Sequence, residues 1–251
     1  MKSMIFAAGL GTRLRPITDT MPKALVPVGG IPMLERVICK LRDAGIDGFV
    51  VNACHFKEQI INFLKDNDFG ADVQVSVEDG TTPLETGGGI RHAESLLAGS
   101  ERFLVHNVDI LSNLDIQWFM QQDEALCNDG GGKPLATLLV TETEADRYLL
   151  FDGGMRLAGW TNVRTGEVKS PYPSFNPSLY KRYSFCGIHI ISEGVFRLMD
   201  EWPEHFSIID FYLRAAASQR ICGVVAEDLE LIDIGSPEKL ALANGDIKKF
   251  I

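Results

Sequence analysis

Along the first 141 positions, short continuous apolar runs alternate with stretches whose apolar residues recur every three to four positions. The runs SMIFAA (3–8), GFVVNA (48–53), RFLVHNVDIL (102–111) and PLATLLVTE (134–142) predict strands buried on both faces. DVQVSVED (72–79) alternates Val73, Val75 and Val77, a strand with one covered face. Between them, IPMLERVICKLRDAG (31–45) puts Leu34, Val37, Ile38 and Leu41 on one face, with Pro32 suited to a first turn and Gly45 to a stop. KEQIINFLKD (57–66) and DIQWFMQQDEALC (115–127) predict two more helices, and GGIRHAESLLAG (88–99) a helix opened by glycines. This order predicts an α/β fold, a Rossmann-like mixed and mostly parallel sheet with helices on both faces. In such sheets ligands bind outside the carboxyl ends of the strands.

After residue 141 the pattern changes. RYLLFDGGMRLAGW (147–160) reads as two strands about a DGG turn. TNVRTGEVKSPYPSFNPSLYK (161–181), rich in Pro, Gly, Ser and Asn, reads as an excursion, and with the hairpin it forms a lid or side wall. YSFCGIHIIS (183–192) predicts a strand, EGVFRLMD (193–200) and SIIDFYLRAAASQ (207–219) helices, and ICGVVAEDLELIDIGS (221–236) two short strands. SPEKLALANGDIKKF (236–250) predicts a closing helix with Ser236 as its cap and Pro237 at its first position. No linker or repeat divides the chain. A single domain over 1–251 is expected.

Composition narrows the function. In 251 residues, 24 basic against 34 acidic side chains give a net charge of −10, which argues against a nucleic-acid partner. Five scattered cysteines form no CxxC pair, so buried free thiols in a reducing compartment are expected rather than zinc or disulfides. No stretch is apolar enough to span a bilayer and no signal peptide is visible. A cytoplasmic monomer or homodimer is the expectation.

Against this acidic background, FAAGLGTRLRPITDTMPKALVPVGG (6–30) concentrates two arginines and a lysine in one loop after the first strand. GLG on its own is a plain turn, and neither GxGxxG nor the P-loop pattern is met, since position 14 is Leu14 and no helix starts at the glycines. Gly9 and Gly11 allow backbone N–H groups to face one concavity, an anion nest. Arg13 adds a forked donor, and Lys23, stiffened by Pro22, a fixed point charge. Phosphate binding is the reading this composition supports.

The same loop, GLGTRLRPITDTMPKALVPVGGIPML, resembles the signature GxGxRxxPxT…PKxLxPv…P of sugar-1-phosphate nucleotidyltransferases at every fixed position. TTPLETGGGI (81–90), NVDIL (107–111), FCGIHII (185–191) and LIDIGSPEKLALA (231–243) extend the resemblance along nearly the whole chain. The short length and PLETGGGI are similar to N-acetylmuramic acid 1-phosphate uridylyltransferases. The resemblance implies attack by a sugar 1-phosphate on the α-phosphorus of a nucleoside triphosphate, giving a nucleotide sugar and pyrophosphate, with Mg²⁺ as cofactor.

The resemblance also implies a nucleotide-binding half (1–141), a sugar-binding half (142–251) and a set of site residues. Asp109 and Asp233 would hold the metal, Lys23 would meet the α-phosphate, and Arg13 the β- and γ-phosphates. Ala8, Gly9, Gly11 and Thr12 would contact the nucleotide, with Glu78, Pro83 and Gly88 in the base-reading segment. Glu85, Thr86, Arg147 and Gly187 would line the sugar. Two departures stand out. Val108 replaces the glycine usual before Asp109. Asn162 stands near the lysine that contacts the sugar phosphate in many relatives, leaving Arg147 or Arg164 as substitutes and Trp160 as a stacking surface. The substrate pair expected first is UTP with N-acetylmuramic acid 1-phosphate or a related amino sugar. Alternatives are a GTP- or CTP-dependent enzyme for mannose, heptose or an alditol phosphate, and a non-catalytic sensor of nucleotide sugars. His106, alternating with Val105 in VHNVD, is expected to be structural.

Overall fold

A computed structural model describes residues 1–80 and 82–250; Thr81, in the segment 81–90, lies outside the described residues. Apolar runs become strands and periodic segments become helices in the following order. β1 (Lys2–Phe6) leads into the loop, which carries three 3-10 turns at Thr12–Leu14, Ile17–Asp19 and Lys23–Leu25. β2 (Pro27–Val28), β3 (Ile31–Pro32), α1 (Met33–Asp43), β4 (Gly48–Ala53), α2 (Lys57–Asp66) and β5 (Asp72–Val77) follow. Next come α3 (Glu85–His92), α4 (Glu94–Leu97), β6 (Arg102–Asn107), β7 (Ile110–Ser112), α5 (Ile116–Asn128) and β8 (Ala136–Thr141). The second half adds β9 (Arg147–Phe151), β10 (Leu157–Asn162), β11 (Glu167–Lys169), β12 (Lys181–Ser192), α6 (Val195–Met199), α7 (Ile208–Ala215), β13 (Ile221–Val225), β14 (Leu231–Asp233) and α8 (Pro237–Gly245).

β6, β1, β4 and β5 lie side by side and parallel. β12 pairs antiparallel with β6, β8 and β9, and so joins the parallel set to the hairpin β9–β10–β11. β8 is thus not the next parallel strand: it lies beyond β12, parallel only to β13. Successive side chains of β1 serve opposite cores, because side chains alternate across a strand. Ile5 joins the cluster under α1, α2, α5 and α8, while Met4 joins the one under α3, α4, α6 and α7. That two-sided burial is why the first strand reads as an unbroken apolar run.

Three details differ from the periodicity. The run 102–111 breaks at Val108 and Asp109, so β7 leaves the main sheet and pairs with β14. The excursion 161–181 contributes a third antiparallel strand, β11. The glycines 87–89 lie inside α3 rather than opening it. A Cβ on Gly87 would stand 2.3 Å from the Phe206 ring, and one on Gly88 2.3 Å from the Glu204 carbonyl. Close approach to the 204–206 segment, not a helix start, is what these glycines provide.

Candidate active site

The strand register decides what meets at the carboxyl edge. Phe6 stands level with Asn52 on one side and Asn107 on the other. The chain beyond β1 therefore emerges between two asparagines. A cavity of about 210 Å³ opens there, lined by Ala8, Gly9, Lys23, Glu78, Pro83, Glu85, Thr86, Val108 and Asp109 with Phe6, Ala7, Asn52 and Asn107. Of the residues the sequence pointed to, Ala8, Gly9, Lys23, Glu78, Pro83, Glu85, Thr86 and Asp109 thus come together at one strand edge, while Gly11, Thr12 and Gly88 do not line the cavity.

The floor of this cavity is fixed by hydrogen bonds. Asn52 Oδ1 accepts from the N–H groups of Ala7 (2.7 Å) and Ala8 (3.3 Å), and Asn52 Nδ2 donates to Glu78 Oε1 (2.7 Å). Glu78 Oε2 accepts from the Leu84 N–H (2.9 Å). Glu78 is 1% exposed, so it holds the 78–84 segment to the strand ends rather than reaching into solvent. The Ala8 N–H is likewise turned inward. Past it, the N–H groups of Gly9, Leu10 and Gly11 have no partner among the described residues. Gly11 adopts φ +64°, and Thr18 Oγ1 donates to its carbonyl at 2.7 Å. A side chain there would meet the Thr18 methyl at 2.8 Å. Gly11 thus supplies the left-handed residue that an anion nest requires, with Thr12 and Arg13 exposed on the next turn.

Gly88 is not part of that wall. Its Cα faces Glu204, and its N–H donates to the Phe206 carbonyl (3.3 Å). Its neighbour Gly89 is the glycine turned toward Asn52, Glu78 and Phe6. Gly187 lies in β12 at φ +72°, where the register with β8 shifts. A Cβ on it would stand 2.5 Å from Asn107 Nδ2, so only glycine lets β12 approach the cavity wall. Thr86 Oγ1 accepts from the Ile208 N–H (2.9 Å), tying α3 to α7.

The two acidic residues meet through the small ribbon. β14 pairs with β7 so that Asp233 lies opposite Ile110, and the Ile234 N–H donates to the Asp109 carbonyl (2.8 Å). Lys23 Nζ pairs with Asp109 Oδ2, and Lys239 Nζ, from the first turn of α8, pairs with Asp233 Oδ2. A Cβ on Gly235 would stand 2.4 Å from Asp233 Oδ1 and 2.9 Å from the Arg13 guanidinium. Arg13 is therefore brought onto the same patch as Asp233. No cluster of three or more His, Cys, Asp or Glu occurs among the described residues. Two carboxylates, each already drawing a cation, fit Mg²⁺, which takes few protein carboxylates and fills its shell with water and phosphate oxygens.

Arg147 and Trp160 stand elsewhere. They line a second cavity of about 500 Å³ with Tyr148, Lys169, Phe185, Ser207 and Asp210. Asn162 is spent locally, its Oδ1 accepting from the N–H groups of Arg164 (3.0 Å) and Thr165 (3.3 Å). Arg164 is paired with Asp146 at 3.7 Å, and Arg15 with Asp19 at 3.2 Å on the exposed loop. His106 is 1% exposed, and burial pushes its imidazole down to about 4. A larger cavity, about 640 Å³, lies between α1, β7 and α5; it contains none of the predicted site residues.

Sequence reasoning missed Asn52, Asn107, Gly235 and Lys239. The two asparagines had a readable signal, a polar residue closing a buried apolar strand. The other two did not, because their meaning depends on where Asp233 and Arg13 point.

Comparison with known proteins fits this geometry. The Nucleotidyl transferase family matches residues 2–148. The N-acetylmuramate α-1-phosphate uridylyltransferase of Caulobacter vibrioides is 30% identical over 254 positions, covering 95% of this chain and 94% of that protein. Mannose-1-phosphate guanylyltransferase 1 of Arabidopsis thaliana is 34% identical over 94% of this chain and 62% of its own length. A putative glucose-1-phosphate thymidylyltransferase from Bacillus anthracis, solved with a sucrose, shares the fold, with a TM-score of 0.78 at 21% identity over 100% of this chain and 96% of that one. The cationic loop, the lysine–aspartate pair and the strand-edge cavity therefore sit in a chain that belongs to the nucleotidyl transferase family, as a sugar-1-phosphate nucleotidyltransferase.

Proposed function

We propose that this protein transfers a uridylyl group from UTP to N-acetylmuramate 1-phosphate or a close amino-sugar relative, releasing pyrophosphate, and that it works in the cytoplasm. The observation that carries the reading is the joining of Lys23, Asp109, Arg13 and Asp233 at one strand edge, beside the N–H groups of Gly9, Leu10 and Gly11. End-to-end similarity to the Caulobacter uridylyltransferase supports the choice of base and sugar.

The nest N–H groups of Gly9, Leu10 and Gly11, with Arg13, would bind the triphosphate and hold the departing pyrophosphate. Lys23 would stand against the α-phosphorus, where negative charge grows as the sugar phosphate oxygen attacks and the bond to pyrophosphate breaks. Asp109 and Asp233 would hold Mg²⁺, whose charge, when bound, offsets that of the phosphates. No general base is needed, because a phosphate monoester with a second pKa of ~6 is already a dianion at neutral pH. The buried histidines accord with that: burial pushes His106 down to about 4 and His189 to about 3, and His189 Nδ1 is engaged by the Tyr212 hydroxyl (2.9 Å).

Pyrophosphate release in Mg²⁺, with UTP, GTP, CTP, ATP and dTTP each offered N-acetylmuramate, N-acetylglucosamine, glucose, mannose and heptose 1-phosphates, tests the reading. Release with UTP and the muramate ester is expected. Release only with GTP and mannose phosphate would keep the chemistry and replace the substrates, the outcome that the similarity to the Arabidopsis guanylyltransferase favours.

A further inference from the structure

The two cavities are neighbours. Thr86 lines the first and is bonded to the Ile208 N–H, while the flanking Ser207 and Ile209 line the second. On β12, Gly187 faces Asn107 of the first cavity, and Phe185, two residues earlier, lines the second. A sugar whose phosphate lies at Lys23 and Asp109 would thus point its far substituents toward the second cavity.

The charges there are unevenly matched. Lys169 lies over the Trp160 ring at 5.3 Å and is held by Asp210 (3.0 Å) and Glu167 (3.9 Å). Arg147 lines the same cavity and has no carboxylate partner among the described residues. Beside it, the Tyr148 phenol oxygen accepts from the Ala145 N–H (2.8 Å), which leaves its O–H free to donate. A planar guanidinium with an adjacent hydroxyl donor matches a carboxylate better than it matches sugar hydroxyls. The Trp160 face supplies apolar cover beside it.

We propose that the second cavity is a subsite for a carboxylate-bearing substituent of the sugar, recognised by Arg147, so that the enzyme selects acidic over neutral sugar phosphates. This rests on the uridylyltransferase reading above. It also moves Arg147 from the sugar phosphate, where sequence placed it, to the opposite end of the sugar.

The test compares three substrates with UTP: N-acetylmuramate 1-phosphate, the same compound with its carboxylate converted to the carboxamide, and N-acetylglucosamine 1-phosphate. The carboxamide keeps the bulk and removes the charge. Each is run with the wild type, Arg147→Gln, Arg147→Lys and Lys181→Gln, the last removing an exposed cation that does not line the cavity. The wild type is expected to favour the acid over the amide by roughly 10- to 100-fold in kcat/KM, the range of one charged hydrogen-bond pair. Arg147→Gln should erase that ratio through KM, Arg147→Lys should restore part of it, and Lys181→Gln should keep it. A ratio that survives in Arg147→Gln overturns the proposal. A wild type that works with UTP on the muramate ester but treats acid and amide alike overturns the subsite and leaves the uridylyltransferase reading standing. A wild type active only with GTP and mannose phosphate overturns both.

Discussion

The two ends of the proposed site, the strand edge proposed for the nucleotide and the hairpin side proposed for the sugar, are built differently. At the nucleotide end, parallel strands buried on both faces finish together, and their polar groups bond to one another before any ligand arrives. Asn52 holds Ala7, Ala8 and Glu78, and Lys23 holds Asp109, all largely out of water. At the sugar end, β11 and α7 present side chains that stay substantially in water, as with Lys169 and Asp210 at 44% and 47% exposed. Under the proposed function this is a division of labour: phosphate chemistry falls to groups fixed by buried hydrogen bonds, and sugar choice to exposed side chains that are replaceable without disturbing the core.

The largest test of that division is Asp109→Asn, which should lower turnover by roughly 10³-fold or more while circular dichroism stays unchanged. Near-normal turnover in Mg²⁺ would remove Asp109 from the mechanism. Lys23→Ala should lower kcat by roughly 10²-fold, as loss of one preorganised charge contact does; a change confined to KM would place Lys23 in ground-state binding alone.

Stability should follow the same geography. Both His106 and His189 are buried and neutral, with values pushed from 6.5 to about 4 and about 3. The unfolded chain binds more protons below 6.5, so stability is full above that pH and falls as pH drops toward 4. The loss reaches up to about 3 kcal/mol per histidine at pH 4, and urea midpoints measured between pH 7 and 4 check it. Asn52→Ala strands two N–H groups and a buried carboxylate oxygen, and should cost about 2–3 kcal/mol in the same assay. Gly235→Ala pushes a methyl into Asp233 and Arg13, so kcat/KM should fall by about tenfold with little change in Tm. At the sugar end, Lys169→Ala should shift stability by no more than about 0.5 kcal/mol, because exposed ion pairs contribute little. A loss as large as that of Asn52→Ala would end the contrast between the two regions.

The sequence by itself determined the elements that rest on local rules. β1, β4, α2 and α8 fall where periodicity and capping put them, because burial on known faces and a Ser-Pro start leave few alternatives. The chemistry of the loop 9–23 was legible in the sequence, since glycines, an arginine and a proline-flanked lysine carry it with them. Tertiary structure decided what each residue was for. Gly88 and Gly187 are both glycines in motif-like segments, yet one clears the Glu204 backbone and the other admits Asn107 to the cavity wall. Glu78 reads as a ligand contact and turns out to be a buried clamp, because Asn52 from a strand 26 positions earlier claims one of its oxygens. Arg147 reads as a neighbour of the phosphate and stands in a second cavity, because β9 joins the sheet on the far side of β12. Spacing along a chain records which chemistry is carried, but only strand order and register say which groups face one another.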